Sequence, residues 1–336
     1  MTTYKIGELF AGAGGMALGA SQAGFGHVWA NDIDADACAT FRRNIDIAPD
    51  TVVCAPVQDF NLDDLSPIDG LAFGFPCNDF SAVGESAGTD GAFGNLYRWG
   101  VQALRHFRPS FFVAENVSGL ASTNRGNDLK LILAELEASG YDIFPHLYRF
   151  EEYDVPQARH RIIIVGFAHA LRIKFRPPPP RPYRVTCQEA LEQPPIPSYA
   201  TNHDHITHPR HVVERLCHIR PGENAFTADL PPHLRLRMRS KATISLIYRR
   251  LDPTRPAYTV TGSGGGGTHL YHYHEPRALT NRERARLQTF PDSVKFEGGR
   301  GSVRKQIGMA VPPVGAAHVF RAVLNHLQHH RVEARS

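Results

Sequence analysis

The 336-residue sequence has no apolar run approaching the ~20 residues that cross a bilayer, which excludes a helical membrane protein. Cysteine is scarce. Cys38, Cys54, Cys77, Cys187 and Cys217 are scattered, and no two form a CxxC pair. That spacing excludes a disulfide framework, argues against zinc and suits a reducing compartment. The opening residues, MTTYKIGELFAG, lack the layout of a secretory signal and run straight into a strand pattern, so a cytoplasmic location is expected. Charged residues make up 21% and hydrophobic residues 42%, which fits a globular chain with a sizeable core and excludes a disordered one. The length allows one large domain or two ordinary ones.

Acidic residues thin out after the midpoint. Residues 1–166 hold 11 Lys+Arg against 21 Asp+Glu, residues 167–300 hold 21 against 11, and residues 301–336 hold 5 against 1. The first half does not look like a nucleic-acid surface, whereas the second part does. Arginine outnumbers lysine there, and its bidentate fork suits phosphates and base edges. A solvated basic face with no partner would have the same composition.

What the chain does have is GFPCNDFS, Gly74–Ser81. The preceding LAFGF reads as a buried strand, and Gly74 and Pro76 bracket a turn that sets Cys77 at its carboxyl end. Ligands and catalytic groups collect at that edge of open α/β sheets. Most single cysteines are buried structural groups, so Cys77 needs support from elsewhere. YKIGELFAGAGGMALGASQAGF, 4–25, reads as strand, glycine turn and helix, with Gly12, Gly14 and Gly15 permitting close ligand approach. Such a loop could serve NAD, FAD or S-adenosylmethionine. HVWANDID, 27–34, reads as a second strand ending in Asp32 and Asp34, suited to ribose hydroxyls. TVVCAPVQDF reads as a third, ending at Asp59. AVGESAGTDGAFGN after Ser81 has the composition of a lid. SFFVAENVSGL ends in Glu115-Asn116-Val117. In YDVPQARHRIIIVGF, 153–167, Gln157, Arg159 and Arg161 alternate and share a side if extended.

The ordered set FAGAGG, GFPCNDFS, AENV, QARHR, RPAYTV and GMAVPP resembles the bacterial cytosine-5 DNA methyltransferases of restriction–modification systems. The resemblance covers 1–167 and about 245–325. It implies an α/β fold: a Rossmann-like S-adenosylmethionine-dependent methyltransferase domain with a mixed, mainly parallel sheet, plus a smaller irregular target-recognition domain. The expected division is 1–183 catalytic and cofactor-binding, 184–298 small domain with a variable region at about 168–245, and 299–330 packing back on the first domain. RPPPPRPYR, 176–184, offers a proline-rich hinge.

By this resemblance Cys77 adds to carbon 6 of cytosine, Glu115 serves ring nitrogen 3 and the amino group, and Arg161 serves oxygen 2 with Arg159 steadying it or a phosphate. The cofactor S-adenosylmethionine, leaving as S-adenosylhomocysteine, would meet Phe10, Ala11, Gly12, Gly14, Gly15, Asp32, Ile33, Asp59, Phe60, Pro76, Leu96, Ala310 and Val311. Ser81, Val83, Gln157, Arg235, Arg237 and Arg239 are the candidates for contact with double-stranded DNA. The three arginines alternate in LRLRMRS and could line a strand face. The expected protein is a cytoplasmic, nucleoid-associated bacterial monomer with no obligate protein partner, no membrane and no metal. NHDHITHPRH, 202–211, has four histidines but no nearby cysteine, so solvated or phosphate-contacting histidines are expected. Asn78, Met309, Asp32 and an acidic lid depart from the family's usual residues, and none removes a catalytic group.

Three rival readings remain at this point. A nicotinamide oxidoreductase shares the glycine turn but leaves Cys77, Glu115 and QARHR without a purpose. A non-catalytic DNA-binding relative would not need those groups intact. RNA methylation could use the same chemistry.

Overall fold

The computed structural model describes residues 4–75, 96–121, 126–236, 245–264 and 266–333. Among these, seven strands form one sheet: β1 (Lys5–Leu9), β2 (Gly26–Asp32), β3 (Val52–Cys54), β4 (Gly70–Gly74), β5 (Phe111–Val117), β6 (Tyr141–Arg149) and β8 (His160–Ala168). Their order is β3-β2-β1-β4-β5-β8-β6. Strands β1 to β5 pair in parallel, and β8 runs antiparallel to β5 and β6. This is the mixed, mainly parallel sheet expected from the sequence.

Both faces of the sheet are buried, so its central strands read as continuous apolar runs rather than alternating ones. The alternation shows only in which core each side chain enters. In β8, Ile163, Val165 and Phe167 join one core while Ile162 and Ile164 join the other. In β5, Phe111 and Val113 split the same way from Phe112 and Ala114. Helices α1 (Gly15–Gln22), α2 (Ala35–Asn44) and α9 (Pro313–Glu333) cover the first face, and α3 (Tyr97–Phe107) and α4 (Asn127–Glu137) the second. Helix α9 supplies Val319, Phe320, Val323 and Leu327 to the core under β1 and β5. The stretch Arg300–Val332 has the length and hydropathy of a membrane span, but 67% of its apolar window is buried within the fold.

The remaining elements build the second part: a two-stranded ladder of β7 (Gln157–Ala158) with β9 (Ala257–Tyr258), and helices α5 (Cys187–Glu192), α6 (Arg210–Cys217), α7 (Asn281–Leu287) and α8 (Arg300–Met309). Helix α7 begins at a capping box: Thr280 accepts from the Glu283 amide and Glu283 reaches back to the Thr280 amide.

Several arginines of this part are internal. Few regular ladders leave many carbonyls to be satisfied, and the long guanidinium groups reach them. Arg250 donates to the carbonyls of Leu216, Ile219 and His272, Arg282 to those of Thr201, Pro291 and Val294, and Arg286 to those of Ala190, Leu191 and Pro195. All three arginines are buried. Other basic residues of this part, among them Arg210, Arg220, Arg235, Arg255 and Arg300, are exposed. Leu270, Tyr271, His272 and Tyr273 are buried. Two of the four histidines in 202–211 are structural: His203 pairs with the Thr280 hydroxyl at 2.9 Å, and His208 accepts from the Ala278 amide at 3.0 Å.

Candidate active site

The strand order reverses direction at β1, with β2 on one side and β4 on the other. The carboxyl ends of these strands open a crevice, the usual ligand position in such sheets. It is a cavity of about 610 Å³. Beyond β1 the chain turns sharply, with positive φ at Phe10, Gly12 and Gly14, and enters α1. No side chain caps the first amides of α1 and no acidic residue sits in its first turn, so that end favours an electron-rich group. Asp32 closes the corner, accepting from the Gly12 amide at 2.8 Å and the Asp34 amide at 2.9 Å. Burial raises its pKa above the ordinary carboxylate value, and these two bonds offset only part of that.

The far wall comes from the second part of the chain. Thr259–Ser263 and Gly308–Val311 line the cavity with α1. The contact is backbone to backbone: a Cβ on Gly15 would sit 2.2 Å from the Val311 carbonyl oxygen. Arg159 locks this wall. Its buried guanidinium donates to the carbonyls of Val260, Gly308 and Ala310 at 2.9–3.1 Å. Burial and the neighbouring Arg161 charge hold its pKa well below the usual value. Gln157 continues the lock, donating to the Leu287 carbonyl and the Gln288 side chain and accepting from the Val260 amide.

The chemical corner lies at β4, β5 and β8. Because β8 is antiparallel, its first residues arrive at the same edge as the last residues of β5, and Val117 pairs with Arg161. Arg161 Nε then lies 2.8 Å from Glu115 Oε1. The other carboxylate oxygen faces Gly74, where a Cβ would be 3.3 Å away. Asn116 Nδ2 donates to the carbonyl of Phe75, the last described residue before Cys77, at 3.2 Å. A carboxylate paired with a guanidinium here can hydrogen-bond a heterocycle, shift a proton and stabilise negative charge on an oxygen.

Of the residues named from sequence, Phe10, Ala11, Gly12, Gly15, Asp32, Ile33, Leu96, Glu115, Arg159, Arg161, Ala310 and Val311 line this one cavity. Three do not. Gly14 turns toward Phe41 and Ile45. Asp59 is exposed because β3 ends at Cys54, and its amide bonds Pro56 in the following turn. Phe60 packs partly on the core around Leu71 and Phe73. Gln157 is fully buried and offers DNA no surface, which corrects that expectation. Arg235 is exposed but follows a 3-10 turn, not a strand, and its Nε donates to the Leu230 carbonyl at 2.9 Å. Pro76, Cys77, Ser81, Val83, Arg237 and Arg239 lie outside the described residues.

Sequence reasoning missed several cavity residues. Glu8, on β1, is buried 2.9 Å from His27 Nε2, and burial raises its pKa. Lys305 reaches across to Asp34 at 2.9 Å. Gln306 accepts from the Thr40 hydroxyl at 2.7 Å. A charged residue inside an apolar strand, as in KIGEL, was the available signal for Glu8. The other two pairings are long-range and left no local trace.

Comparisons with known proteins agree with this architecture. The family described as C-5 cytosine-specific DNA methylase matches residues 4–325. Type II methyltransferase M.BbvI of Brevibacillus brevis is 52% identical, over 96% of this chain and 91% of its own. Type II methyltransferase M.NgoFVII of Neisseria gonorrhoeae is 39% identical, over 95% and 86%. Among solved structures, a DNA modification methyltransferase encoded within a prophage of E. coli superposes with a TM-score of 0.77 over 97% of this chain and 100% of that one, at 23% identity.

Proposed function

Because the chain belongs to the C-5 cytosine-specific DNA methylases, we propose that it methylates carbon 5 of one cytosine in a short duplex DNA sequence, with Cys77, Glu115 and Arg161 as the reacting groups. It is a DNA methyltransferase of the type II modification class, and its biological role in this reading is to shield host DNA from a restriction endonuclease. The observation that carries the proposal is the Glu115–Arg161 pair, 2.8 Å apart, on the same cavity as the Asp32 corner.

Carbon 5 of cytosine is a poor nucleophile. A thiolate from Cys77 adding to carbon 6 turns the ring into an enamine whose nucleophilic carbon is carbon 5. Glu115 hydrogen-bonds and protonates ring nitrogen 3 as the adduct forms. Arg161 holds Glu115 and offers its remaining donors to oxygen 2. Once carbon 5 carries the methyl group, removal of its proton expels the thiolate and restores the double bond. None of this can occur in a stacked duplex, so the base must enter the cavity flipped out.

The cavity fits S-adenosylmethionine. Asp32 is a buried acceptor for ribose hydroxyls, the uncapped start of α1 faces the carboxylate end, and Gly15 leaves room for the Val311 backbone as a wall. Phe10, Ile33 and Leu96 would enclose the adenine, with Ala310 and Val311 at the methionine end. The bound cofactor supplies an electrophilic methyl group on a sulfonium sulfur. The same reading makes the protein a cytoplasmic monomer that associates with the nucleoid through DNA.

Bisulfite sequencing of plasmid DNA incubated with the protein and S-adenosylmethionine tests the proposal. Protection of one cytosine within a recurring short sequence is expected. Unprotected plasmid, or protection without sequence preference, would overturn it.

A further inference from the structure

One buried carboxyl in the cavity is left over by the chemistry of Cys77, Glu115 and Arg161. Glu8 interrupts the apolar strand β1, is 1% exposed, and lines the cavity that fits the cofactor. A buried carboxylate is costly unless it is paired and hydrogen-bonded. Among the described residues its ion-pair partner is His27, whose Nε2 lies 2.9 Å from Glu8 Oε2. His27 is itself buried, and its Nδ1 is sealed from solvent with no hydrogen-bond partner, so the polar contact of the ring is with Glu8. Burial raises the Glu8 pKa, the His27 hydrogen bond offsets part of the rise, and the Asp32 charge adds to it. A cation entering the cavity favours the ionised carboxylate.

The sheet register places Glu8 between the two ends of the site. Glu8 pairs with Ala30 on β2 and with Ala72 on β4. Residues two apart on a strand share a face. Asp32 lies two beyond Ala30, Gly74 lies two beyond Ala72, and Gly74 pairs with Glu115. Asp32, Glu8 and Glu115 therefore look out from one face of the sheet, with β1 standing between β2 and β5. In S-adenosylmethionine the sulfonium joins the ribose to the transferable methyl group. A cofactor with its ribose at Asp32 and its methyl group toward Glu115 carries that positive charge across the strand that holds Glu8.

We infer that Glu8, held by His27, is the counter-charge that separates the cationic cofactor from its neutral product. Transfer of the methyl group removes the sulfonium charge, and S-adenosylhomocysteine leaves Glu8 uncompensated. The buried carboxyl then favours exchange of product for fresh cofactor. Glu8 is the binding group, and His27 is a positioning residue that acts through it. The inference rests on the methyltransferase reading above, because it needs that cofactor in the cavity.

The test is calorimetric binding of two ligands that differ in charge at one position. Sinefungin carries an ammonium where the cofactor carries its sulfonium, and S-adenosylhomocysteine is neutral there. Glu8→Gln keeps the size of the side chain and loses the charge. It should weaken sinefungin about tenfold and leave S-adenosylhomocysteine unchanged, the scale of one partly screened charge pair. His27→Leu should shift the ratio of the two affinities the same way, because the carboxylate loses its donor. His27→Gln returns an N–H to Glu8 and should restore the ratio. A purely structural pair would weaken both ligands together, and an unchanged ratio in Glu8→Gln would overturn the assignment. If Glu8→Gln fails to fold, the His27 variants decide, and equal ratios in His27→Leu and wild type would overturn it. Wild type that binds neither ligand would sink the methyltransferase reading as well, whereas normal binding of both with an unmoved ratio would sink only the role of Glu8.

Discussion

Glu115 and Arg161 sit on neighbouring strands that run in opposite directions, and this decides what each can do. Glu115 is anchored at one oxygen by Arg161 and turns the other toward Gly74. Glu115→Gln keeps the size of the side chain but cannot deliver a proton. Single-turnover methylation should slow by ~2–4 orders of magnitude. A rate within tenfold of wild type would refute the assignment. Cys77→Ser should abolish transfer yet leave cofactor binding intact, and wild type should be trapped covalently on 5-fluorocytosine DNA, where fluorine cannot leave as a proton does. Turnover by the serine variant, or no adduct with wild type, would remove Cys77 from the mechanism. Asp32 adds a pH dependence. Its pKa is raised chiefly by burial, so the folded protein holds that proton more tightly than the unfolded chain. The linked stability is present at low pH and is lost as pH rises through the raised value. Cofactor binding needs the carboxylate and goes the other way. S-adenosylhomocysteine affinity should therefore fall with decreasing pH sooner than a solvated aspartate would allow, while the melting temperature gains. Calorimetric titrations showing the same pH profile in Asp32→Asn would exclude Asp32 as the cause.

Among elements, those with two buried faces were legible. LAFGF, SFFVAENV and RIIIVGF are runs that only central strands explain, and glycines mark the turn after β1. The edges were not legible. β6 carries Pro145, His146 and Arg149 with mostly half-exposed positions, which an edge strand tolerates and which blurs any pattern. β3, the other edge, ends at Cys54 because Ala55-Pro56 turns away, and so Asp59 was placed five residues too far along a strand that had stopped. QARHR was legible as a chemical unit but not in its division of labour. Gln157 and Arg159 face inward and hold the second part of the chain, and only Arg161 is left for the reacting corner. The partners of Gln157 and Arg159 are carbonyls a hundred or more residues away, which no local pattern announces. Arg159→Lys keeps the charge and loses the fork. It should cost about 1–3 kcal/mol, the penalty for buried carbonyls left unpaired. Since those carbonyls belong to the cavity wall, S-adenosylhomocysteine affinity should fall with it. Unchanged denaturation midpoint and affinity would show that Arg159 does not lock the wall.

For the whole molecule, the question is which piece can be exchanged without dismantling the rest. Sequence resemblance suggested 168–245 as the part that chooses the DNA sequence, and the packing argues for narrower limits. Ile173 and Phe175 belong to the core beneath the sheet, together with Phe167 and α9. Cys187 and Leu191 belong to the core of α7 and α8. Thr201, Asn202 and His203 bond Arg282 and Thr280 on α7. A transplant of 168–245 would therefore remove parts of two cores and of the α7 anchor. By contrast Ile206, Val212, Leu216, Ile219, Ala225, Leu230, Ile247 and Tyr248 form their own cluster, closed from below by Tyr271 and Ala278. That unit, from about residue 206 to 249, meets the rest of the chain at Tyr271 and Ala278. Exchanging that unit with the matching segment of a relative of different specificity should give an active chimera that melts near the parent temperature and methylates the donor's sites. The longer exchange should lose stability before it changes specificity, because large-to-small losses in shared cores cost about 2–5 kcal/mol each. Genome-wide mapping of methylated cytosines reads the outcome. An active short chimera that still marks the parent's own sites would place sequence choice elsewhere, with Thr261–Ser263, which line the cavity, able to make it.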